Sequence, residues 1–170
     1  MTKYVCVAIH STCQCKYWNR TDGWNDVVKY LNDKGYIVKH ISKESGVYMG
    51  NYPPEGSEDC TGLSIDDTIS LLKDCEFFMG VSSGLAWLAW GVGVPVIMVS
   101  GFTAPWFEPS QGVERVFNPD VCNSCFNDPT LAFDRGDWMW CPRGKNFECS
   151  KEITSGMVIE RINKITNDVE

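Results

Sequence analysis

Four cysteines towards the C-terminal end of the chain have a spacing typical of a metal site. Cys122 and Cys125 form a C-x2-C pair, and Cys141 and Cys149 follow it. Two thiolates at C-x2-C spacing on a turn can point at one ion, and two further cysteines complete a tetrahedron. Zinc is the default metal for such a site, and tetrahedral thiolate sites also take iron. The spacing therefore predicts one ion in a four-cysteine site, which would order a loop that lacks a core.

Two other interpretations of these cysteines remain open. They could be unrelated thiols, although their crowding into one segment argues against this. Cys122 and Cys125 could also form a redox-active pair, but Cys122 does not open a helix after a strand, as it would in thioredoxin-like proteins. Cys13 and Cys15 form a separate C-x-C in the first loop, where we expect free thiols.

A Ser-Ser-Gly corner lies within an uncharged stretch that runs from Phe77 to Phe107. Ser82, Ser83 and Gly84 separate an apolar strand from a predicted helix over Leu85 to Trp90. The first N–H groups of a helix have no partner within it, and the helix dipole adds positive charge there, so a phosphate can bind. The serine hydroxyls can donate to such a ligand, and glycine lets it approach the backbone. The alternative interpretation is a serine that serves only as the helix N-cap.

Lys16 follows the first predicted strand, on the edge where a doubly wound sheet binds ligands. A lysine at that place can pair with a diphosphate, and the alternative is an ordinary solvated lysine. His10 and His40 lie at strand ends without a partner motif, so we assign neither a catalytic role. No aspartate or glutamate has a spacing that identifies it as a catalytic base.

The composition is typical of one soluble globular domain. The chain has 170 residues, of which 44% are hydrophobic and 22% charged. A net charge of −7 argues against binding of nucleic acid, which requires a basic face. Gly91, Gly93 and Pro95 interrupt the longest apolar run, so we expect no membrane span. With no secretory signal and nine cysteines, we expect a cytoplasmic protein that uses cysteines for metal rather than for disulfides.

Alternating strand and helix signals predict a doubly wound, Rossmann-like parallel α/β sheet. Short apolar runs predict strands at Tyr4 to Ile9, Tyr36 to Ile41, Glu76 to Met79 and Val96 to Val99, with a last strand at Val113 to Phe117. Apolar residues at helical spacing predict a helix from Asp22 to Asp33. A capping-box pattern at Ser64 begins another helix, and Ser45 to Thr61 is predicted to be a loop. We expect one domain over residues 1–170, with the metal-binding cysteine loop at 118–150 and a final helix at 155–169.

The stretch from Gly80 to Gly101, followed by Thr103 and Pro105, resembles the C-terminal half of the heptosyltransferases. Those enzymes have the glycosyltransferase B fold and the pattern Gly-Asn-Asp-Ser-Gly-x-x-His-Leu-Ala, then Gly-x-Pro, then Gly-x-Thr-x-Pro. In this chain Ser82 replaces the aspartate of the pattern and Trp87 replaces its histidine.

A closer resemblance is to the bacterial autotransporter heptosyltransferases, which modify serines of adhesins. The segments that carry it are Ser83 to Trp90, Gly101 to Thr103, Cys122-x-x-Cys125, Phe133 to Trp138 and Trp140 to Pro142. In that subgroup four cysteines hold iron and the enzymes form large rings. The resemblance therefore implies iron at the four cysteines named above, and an oligomeric protein.

The resemblance also implies a function. It implies a glycosyltransferase domain that binds a nucleotide-activated sugar, ADP-heptose, for transfer to protein hydroxyls such as those of an autotransporter adhesin. Contact with the nucleotide-sugar is implied for Lys16, Ser82, Ser83, Gly84 and Thr103. The acceptor and the catalytic base belong to an N-terminal domain in that subgroup, and we expect that domain to lie outside this chain. The alternative is a non-catalytic, metal-stabilised module that binds nucleotide or assembles with a partner.

Overall fold

The structure, a computed structural model, describes residues 2–132, 134 and 136–167. Within them, six strands form one parallel sheet in the order β3-β2-β1-β4-β5-β6. The strands are β1 (Tyr4–Ala8), β2 (Ile37–His40), β3 (Glu58–Asp59), β4 (Phe78–Gly80), β5 (Val96–Val99) and β6 (Val113–Val116). The predicted doubly wound parallel sheet is confirmed, including its last strand. The two-residue β3 was not predicted, because it lies inside a segment without apolar periodicity.

The strand order reverses between β1 and β4. Strand β1 pairs with β2 on one side and with β4 on the other, with Cys6 opposite Phe78 and Ala8 opposite Gly80. Loops that leave the two halves of such a sheet diverge at this point, which opens a crevice at the carboxyl ends of the strands. The fold therefore places any ligand near the loops that follow β1 and β4.

Five α-helices connect or cover the strands in the described part of the chain. They are α1 (Gly23–Asp33), α2 (Ile65–Lys73), α3 (Gly84–Gly91), α4 (Glu148–Lys151) and α5 (Ser155–Thr166). The side chain of Ser64 accepts a hydrogen bond from the Asp67 N–H at the start of α2, as the capping pattern predicted. The final helix was predicted to reach residue 169, and its last predicted residues lie outside the described part of the chain.

The sheet is buried on both faces, as its continuous apolar strands require. On one face, Val5 and Val7 of β1 pack with Val27 and Leu31 of α1 and with α5. On the other face, alternate residues of the same strands pack against α2 and α3. Because α3 contributes the small residues Ala86 and Ala89 to this second layer, its backbone can lie close to the sheet.

The cysteine-rich segment at 118–150 has little regular structure but carries a small core of its own. A third cluster of buried side chains joins it to the first loop of the chain, and consists of Cys13, Cys15, Phe102, Cys125, Trp140 and Phe147. We expected this loop to lack a core, and that expectation is corrected by the cluster. The sequence did not predict this cluster, because its residues come from distant parts of the chain and form no periodic pattern.

In the described residues, no helix combines the length and apolar character needed to cross a membrane. The longest helix, α5, has 12 residues and carries charged side chains on one side.

A close backbone contact joins the end of β5 to the cysteine-rich segment and predicts an effect on stability. A Cβ atom at Gly101 would overlap the carbonyl oxygen of Cys149 and lie only 2.7 Å from its carbonyl carbon. Because backbone cannot swing away, Gly101→Ala should lower the free energy of unfolding by about 1–3 kcal/mol. Gly91→Ala is the control, since a Cβ there meets no atom within 4 Å. Urea titrations of both variants test this, and equal midpoints would contradict the predicted clash.

Candidate functional site

A cavity of about 380 Å³ lies at the carboxyl ends of the strands, where their order reverses. Three loops line it, each following a strand: the loop after β1, the loop after β2, and the corner between β4 and α3. The lining residues are His10, Ser11, Thr12, Lys16, Ser42, Lys43, Glu44, Tyr48, Ser82, Ser83, Gly84 and Leu85. Four of the five residues expected to contact a nucleotide-sugar therefore line one cavity, although they come from distant parts of the sequence.

The Ser-Ser-Gly corner presents the start of α3 to this cavity. Ser83 occupies the N-cap position, yet its side chain makes no capping hydrogen bond. Its Oγ atom is buried and has no hydrogen-bond partner among the described residues. The space in front of Gly84 is open, since a Cβ atom there would meet nothing within 4 Å. A polar ligand at the helix N-terminus would supply the partner that the serine hydroxyl lacks.

Lys43 of the loop after β2 lines the cavity, and Lys16 brings a second positive charge from the loop after β1. The Lys16 Nζ donates to Thr12 Oγ1 at 3.1 Å and lies 5.4 Å from the centre of the Phe126 ring. None of the described carboxylates forms a salt bridge with it. An ammonium group that faces a helix N-terminus without a carboxylate partner is suited to hold an anion such as a diphosphate.

His10 forms part of the cavity wall, where the loops after β1 and β2 meet. His10 Nε2 lies 3.2 Å from the Gly46 carbonyl oxygen, which can only accept, so this nitrogen carries the proton. Its Nδ1 lies 3.3 Å from the Tyr17 hydroxyl, whose single proton also has the Ser11 carbonyl oxygen within reach at 3.3 Å. The bond to Gly46 joins the loop after β2 to the loop after β1, whereas Tyr17 belongs to the same loop as His10. Burial lowers the pKa of His10, so the ring is neutral at pH 7. Its role is to hold the loop after β2 in place by a hydrogen bond.

His40 lies behind this wall with both ring nitrogens buried and unpartnered among the described residues. Its ring centre lies 5.4 Å from that of His10. Burial, and then the nearby His10, lower its pKa to about 4. The ring therefore stays uncharged over the physiological range, and its charging would favour the unfolded chain.

Thr103 is the one predicted contact that the structure does not bring to this cavity. Its hydroxyl donates to the carboxylate of Glu108 and lies 2.8 Å from Ser100 Oγ. Arg115 completes the cluster through an ion pair with Glu108 and a 2.8 Å hydrogen bond to the Ser100 carbonyl. Thr103 thus braces the turn after β5 against β6, and its side chain is already engaged.

Two further cavities adjoin the first one. An apolar cavity of about 300 Å³ shares Ser42, Lys43 and Leu85 with it, and Ile41, Leu63 and Ile65 add to its lining. A larger cavity of about 740 Å³ shares Thr12 and Lys16 with it, and is completed by Cys13, Met49, Phe126, Asp134, Gly136, Asp137 and Trp138. The three cavities form a continuous series along the strand ends, with Lys16 between the central and the largest.

The four cysteines of the cysteine-rich segment lie within electrostatic reach of one another. Burial, and then the charges of the other three thiols, raise the pKa of Cys149 to about 12. Burial also raises the pKa of Cys122, to about 11, with the nearby Glu148 as the next cause. All nine cysteines of the chain are free thiols in the structure. Cys125 and Cys149 are buried and Cys122 and Cys141 are partly buried, and such unpaired thiols are the type of donor that a soft metal ion prefers.

The same segment does not show a closed coordination shell. In the described residues, no three thiol, imidazole or carboxylate groups are arranged so that they could hold a metal ion. The donor types therefore fit a tetrahedral thiolate site, while the distances between them do not. The predicted four-cysteine site is neither confirmed nor replaced by a disulfide.

Cys13 and Cys15 form a close pair beside this segment. Their Sγ atoms lie 2.9 Å apart, and both side chains are buried in the cluster that also contains Cys125. They are free thiols, as predicted from the C-x-C spacing. Cys13 lines the largest cavity and also packs in the same buried cluster as Cys125, so this wall of the cavity is in contact with the cysteine-rich segment.

Several lining residues were missed in the sequence. Ser42 to Glu44 follow β2, and the rule that ligands bind beyond the carboxyl ends of parallel strands could have indicated them. Asp137 and Trp138 belong to the segment Phe133 to Trp138 that carries the family resemblance, but their place at the cavity was not predicted, because only the tertiary fold brings this loop next to Lys16.

Comparisons with known proteins identify the family to which the chain is similar. The model of glycosyltransferase family 9 (heptosyltransferase) matches residues 1–129. The chain is 45% identical over 166 residues to the autotransporter heptosyltransferase BAHTCr of Citrobacter rodentium, covering 91% of this chain and 40% of that protein. It is 43% identical over 173 residues to the autotransporter heptosyltransferase TibC of Escherichia coli O78:H11, covering 95% and 42%. The inactive autotransporter heptosyltransferase BimC of Burkholderia thailandensis is 32% identical over 178 residues, covering 95% and 40%.

Solved structures show the same relationship. The crystal structure of the iron-containing dodecameric glycosyltransferase TibC superposes with a TM-score of 0.93 at 41% identity, over 100% of this chain and 46% of that chain. TibC has also been solved in complex with ADP-D-beta-D-heptose, with a TM-score of 0.93 over 99% of this chain. The chain thus spans less than half the length of the relatives that it matches.

The buried His40 predicts a pH dependence of stability. Its pKa is depressed in the folded state, so the unfolded chain binds the proton more tightly between pH 6.5 and about 4. Stability should therefore fall as pH drops through this window, by at most about 1.4 kcal/mol per pH unit from this residue. In His40→Leu the fall between pH 7 and pH 4.5 should be smaller. Thermal melts of both proteins in one buffer series measure it, and parallel curves would exclude the assignment.

Proposed function

The chain belongs to glycosyltransferase family 9 (heptosyltransferase), and we propose that it forms the part of a heptosyltransferase that binds the nucleotide-activated sugar. One observation carries the proposal. Lys16 and the N-terminus of α3 line one cavity at the point where strand order reverses, and the Ser83 hydroxyl there has no hydrogen-bond partner among the described residues. That is the arrangement which a diphosphate requires.

We propose ADP-heptose as the donor, because the TibC structure that superposes on nearly the whole of this chain was solved with ADP-D-beta-D-heptose. The diphosphate would lie between Lys16 and Ser83. The adjoining apolar cavity, bounded by Ile41, Leu63 and Ile65, is suited to a flat heterocycle, so the base would lie on that side.

In the proposed reaction, this chain stabilises the leaving group. When the bond between sugar and diphosphate breaks, negative charge develops on the diphosphate. The ammonium group of Lys16 and the N–H groups at the start of α3 are held in place before the reaction, so they stabilise that charge without reorganisation. The acceptor, a protein hydroxyl such as a serine of an autotransporter adhesin, and the base that removes its proton would come from outside this chain.

We propose iron, with zinc as the alternative, at Cys122, Cys125, Cys141 and Cys149. The donor set fits such an ion, and the related TibC is described as iron-containing. A bound ion would hold the cysteine-rich segment in one conformation and take no part in sugar transfer. Unpaired cysteines fit a reducing compartment, so we propose that the protein acts in the cytoplasm. A ring-shaped oligomer is proposed by analogy with dodecameric TibC.

Binding of the donor and transfer of the sugar are separate proposals. The relative BimC is described as inactive, although it matches 95% of this chain. A non-catalytic nucleotide-binding module thus remains the second candidate. Transfer of heptose to an adhesin fragment, after addition of the acceptor-binding half of TibC, distinguishes the two, since a module would bind donor without producing glycosylated protein.

Loss of the lysine charge should weaken donor binding without unfolding the protein. Lys16→Ala should reduce the affinity for ADP-heptose and for ADP by about 10-fold to 100-fold, as expected for a hydrogen bond between charged groups. Isothermal titration calorimetry measures both affinities, and thermal melts without ligand check the fold.

Lys29→Ala is the matched control for this experiment. Lys29 lies on the exposed side of α1, where it pairs with Asp33, and it does not line the cavity. Its loss should leave both affinities unchanged. The assignment of Lys16 to the diphosphate fails if the two variants bind ADP equally well.

Removal of one proposed metal ligand should empty the site and loosen the segment. Cys141→Ser should purify with much less iron or zinc, and should melt at least about 5 °C lower, which corresponds to about 2 kcal/mol in a domain of this size. Cys60→Ser is the control, because Cys60 lies in the loop after β3, away from the segment. Elemental analysis by mass spectrometry measures the metal, and equal metal content in both variants would remove Cys141 from the ligand set.

A further inference from the structure

We propose that the largest cavity, on the side of Lys16 that the cysteine-rich segment encloses, holds the sugar of the donor, and that Asp137 and Trp138 recognise it. The inference rests on the proposed function, since it extends the same ligand beyond its diphosphate. It assigns the recognition of the sugar to a segment that lies beyond residues 1–129, the part that the family model matches.

The positions of the cavities support this direction. The largest cavity shares Thr12 and Lys16 with the diphosphate cavity, so a ligand held at Lys16 can continue into it without leaving the protein surface. Its volume of about 740 Å³ falls within the range of small-molecule sites. The apolar cavity lies on the other side of the diphosphate cavity. A nucleotide-sugar has its diphosphate in the middle, so its two ends must occupy two such neighbours.

The chemistry of the two neighbouring cavities indicates which of them holds the base of the nucleotide-sugar and which holds its sugar. The apolar cavity is lined mainly by apolar side chains such as Ile41, Leu63 and Ile65, which suit a heterocyclic base. Its polar lining is Ser42, Lys43 and Thr68, and Thr68 Oγ1 already donates to the Ser64 carbonyl. The largest cavity combines the carboxylates of Asp134 and Asp137, which accept hydrogen bonds from hydroxyl groups and repel a phosphate, with the aromatic rings of Phe126 and Trp138. A ligand end with many hydroxyls therefore fits the largest cavity better than the apolar one.

Asp137 is placed to accept from such hydroxyls. Its Oδ1 atom already accepts from the Met139 N–H at 3.0 Å, which orients the carboxylate. Its side chain is exposed, and its other oxygen has no hydrogen-bond partner in the described part of the chain. A carboxylate fixed by its own loop loses little freedom when it binds, so its hydrogen bonds to a ligand are specific.

Trp138 forms a rigid aromatic wall beside this carboxylate. Its Nε1 donates to Gln14 Oε1 at 3.1 Å, and its carbonyl accepts from the Gln14 N–H at 3.0 Å. The ring also contacts Tyr17 and Tyr48, with centres 6.0 and 5.8 Å away. These contacts hold the indole in place before a ligand arrives. A flat aromatic surface next to a carboxylate can pack against the C–H face of a sugar ring while the carboxylate takes its hydroxyls.

Comparison of a nucleotide with its sugar derivative tests the proposal. We would measure the affinities of wild-type protein and Asp137→Ala for ADP and for ADP-heptose by isothermal titration calorimetry. The variant should bind ADP-heptose at least about 10-fold more weakly and ADP with unchanged affinity, because only the former has hydroxyls at the lost carboxylate. Asp120→Ala, which removes an exposed carboxylate of the same segment outside the cavity, should change neither affinity.

The affinities of Trp138→Leu provide a second test, which distinguishes contact of this ring with the sugar from contact with the base. If the ring packs against the sugar, this variant loses affinity for ADP-heptose and keeps its affinity for ADP. If the ring packs against the base instead, affinity for ADP falls equally, and the proposed direction of the ligand is wrong. Thermal melts of each variant without ligand check that the fold is retained, and Trp138→Phe replaces Trp138→Leu if that variant does not fold.

The outcomes for the sugar site and for the proposed function are distinct. An Asp137→Ala variant that binds ADP-heptose as tightly as the wild type overturns the sugar site, while normal ADP binding leaves the proposed function standing. A wild-type protein that binds neither ADP nor ADP-heptose overturns both.

Discussion

The parallel pairing of β1 with β4 is the contact on which the rest of the structure depends. Since β2 and β3 extend the sheet on one side of this pair and β5 and β6 on the other, the loops that leave the two halves diverge. The crevice between them collects His10 and Lys16 from the first loop and the start of α3 from the other. The crevice follows from the order of the strands.

The cysteine-rich segment adds a second wall to a crevice that the sheet alone would leave open. It is joined to the first loop by a cluster of buried side chains that includes Cys13, Cys125 and Trp140. The ring of Phe126 lies under the Lys16 ammonium, and Trp138 bonds to Gln14. Order in the segment is thereby coupled to the position of Lys16.

Several buried polar groups near the site hold the backbone of its loops in position. His10 joins the loop after β2 to its own loop through its bond to the Gly46 carbonyl, and the Glu108–Arg115 pair holds Thr103 against β6. Such a buried pair adds little net stability when it is intact, but loss of one partner leaves the other buried and uncompensated. These groups therefore restrict the loops around the cavity to one arrangement, which a binding site for a long, multi-part ligand requires.

The sequence alone determined five of the six described strands, the helices α1, α2, α3 and α5, and the Ser-Ser-Gly corner, because these depend on periodicity and on the chemistry of a helix end. It also predicted a ligand-binding role for Lys16. The spacing of the cysteines likewise predicted one cluster of thiols. Only the tertiary structure decided that Thr103 is a brace and that Asp137 and Trp138 line a cavity, since these roles depend on contacts between distant segments. Local sequence carries the signal for local structure, whereas a wall built from an aperiodic loop is set by the packing of the whole chain.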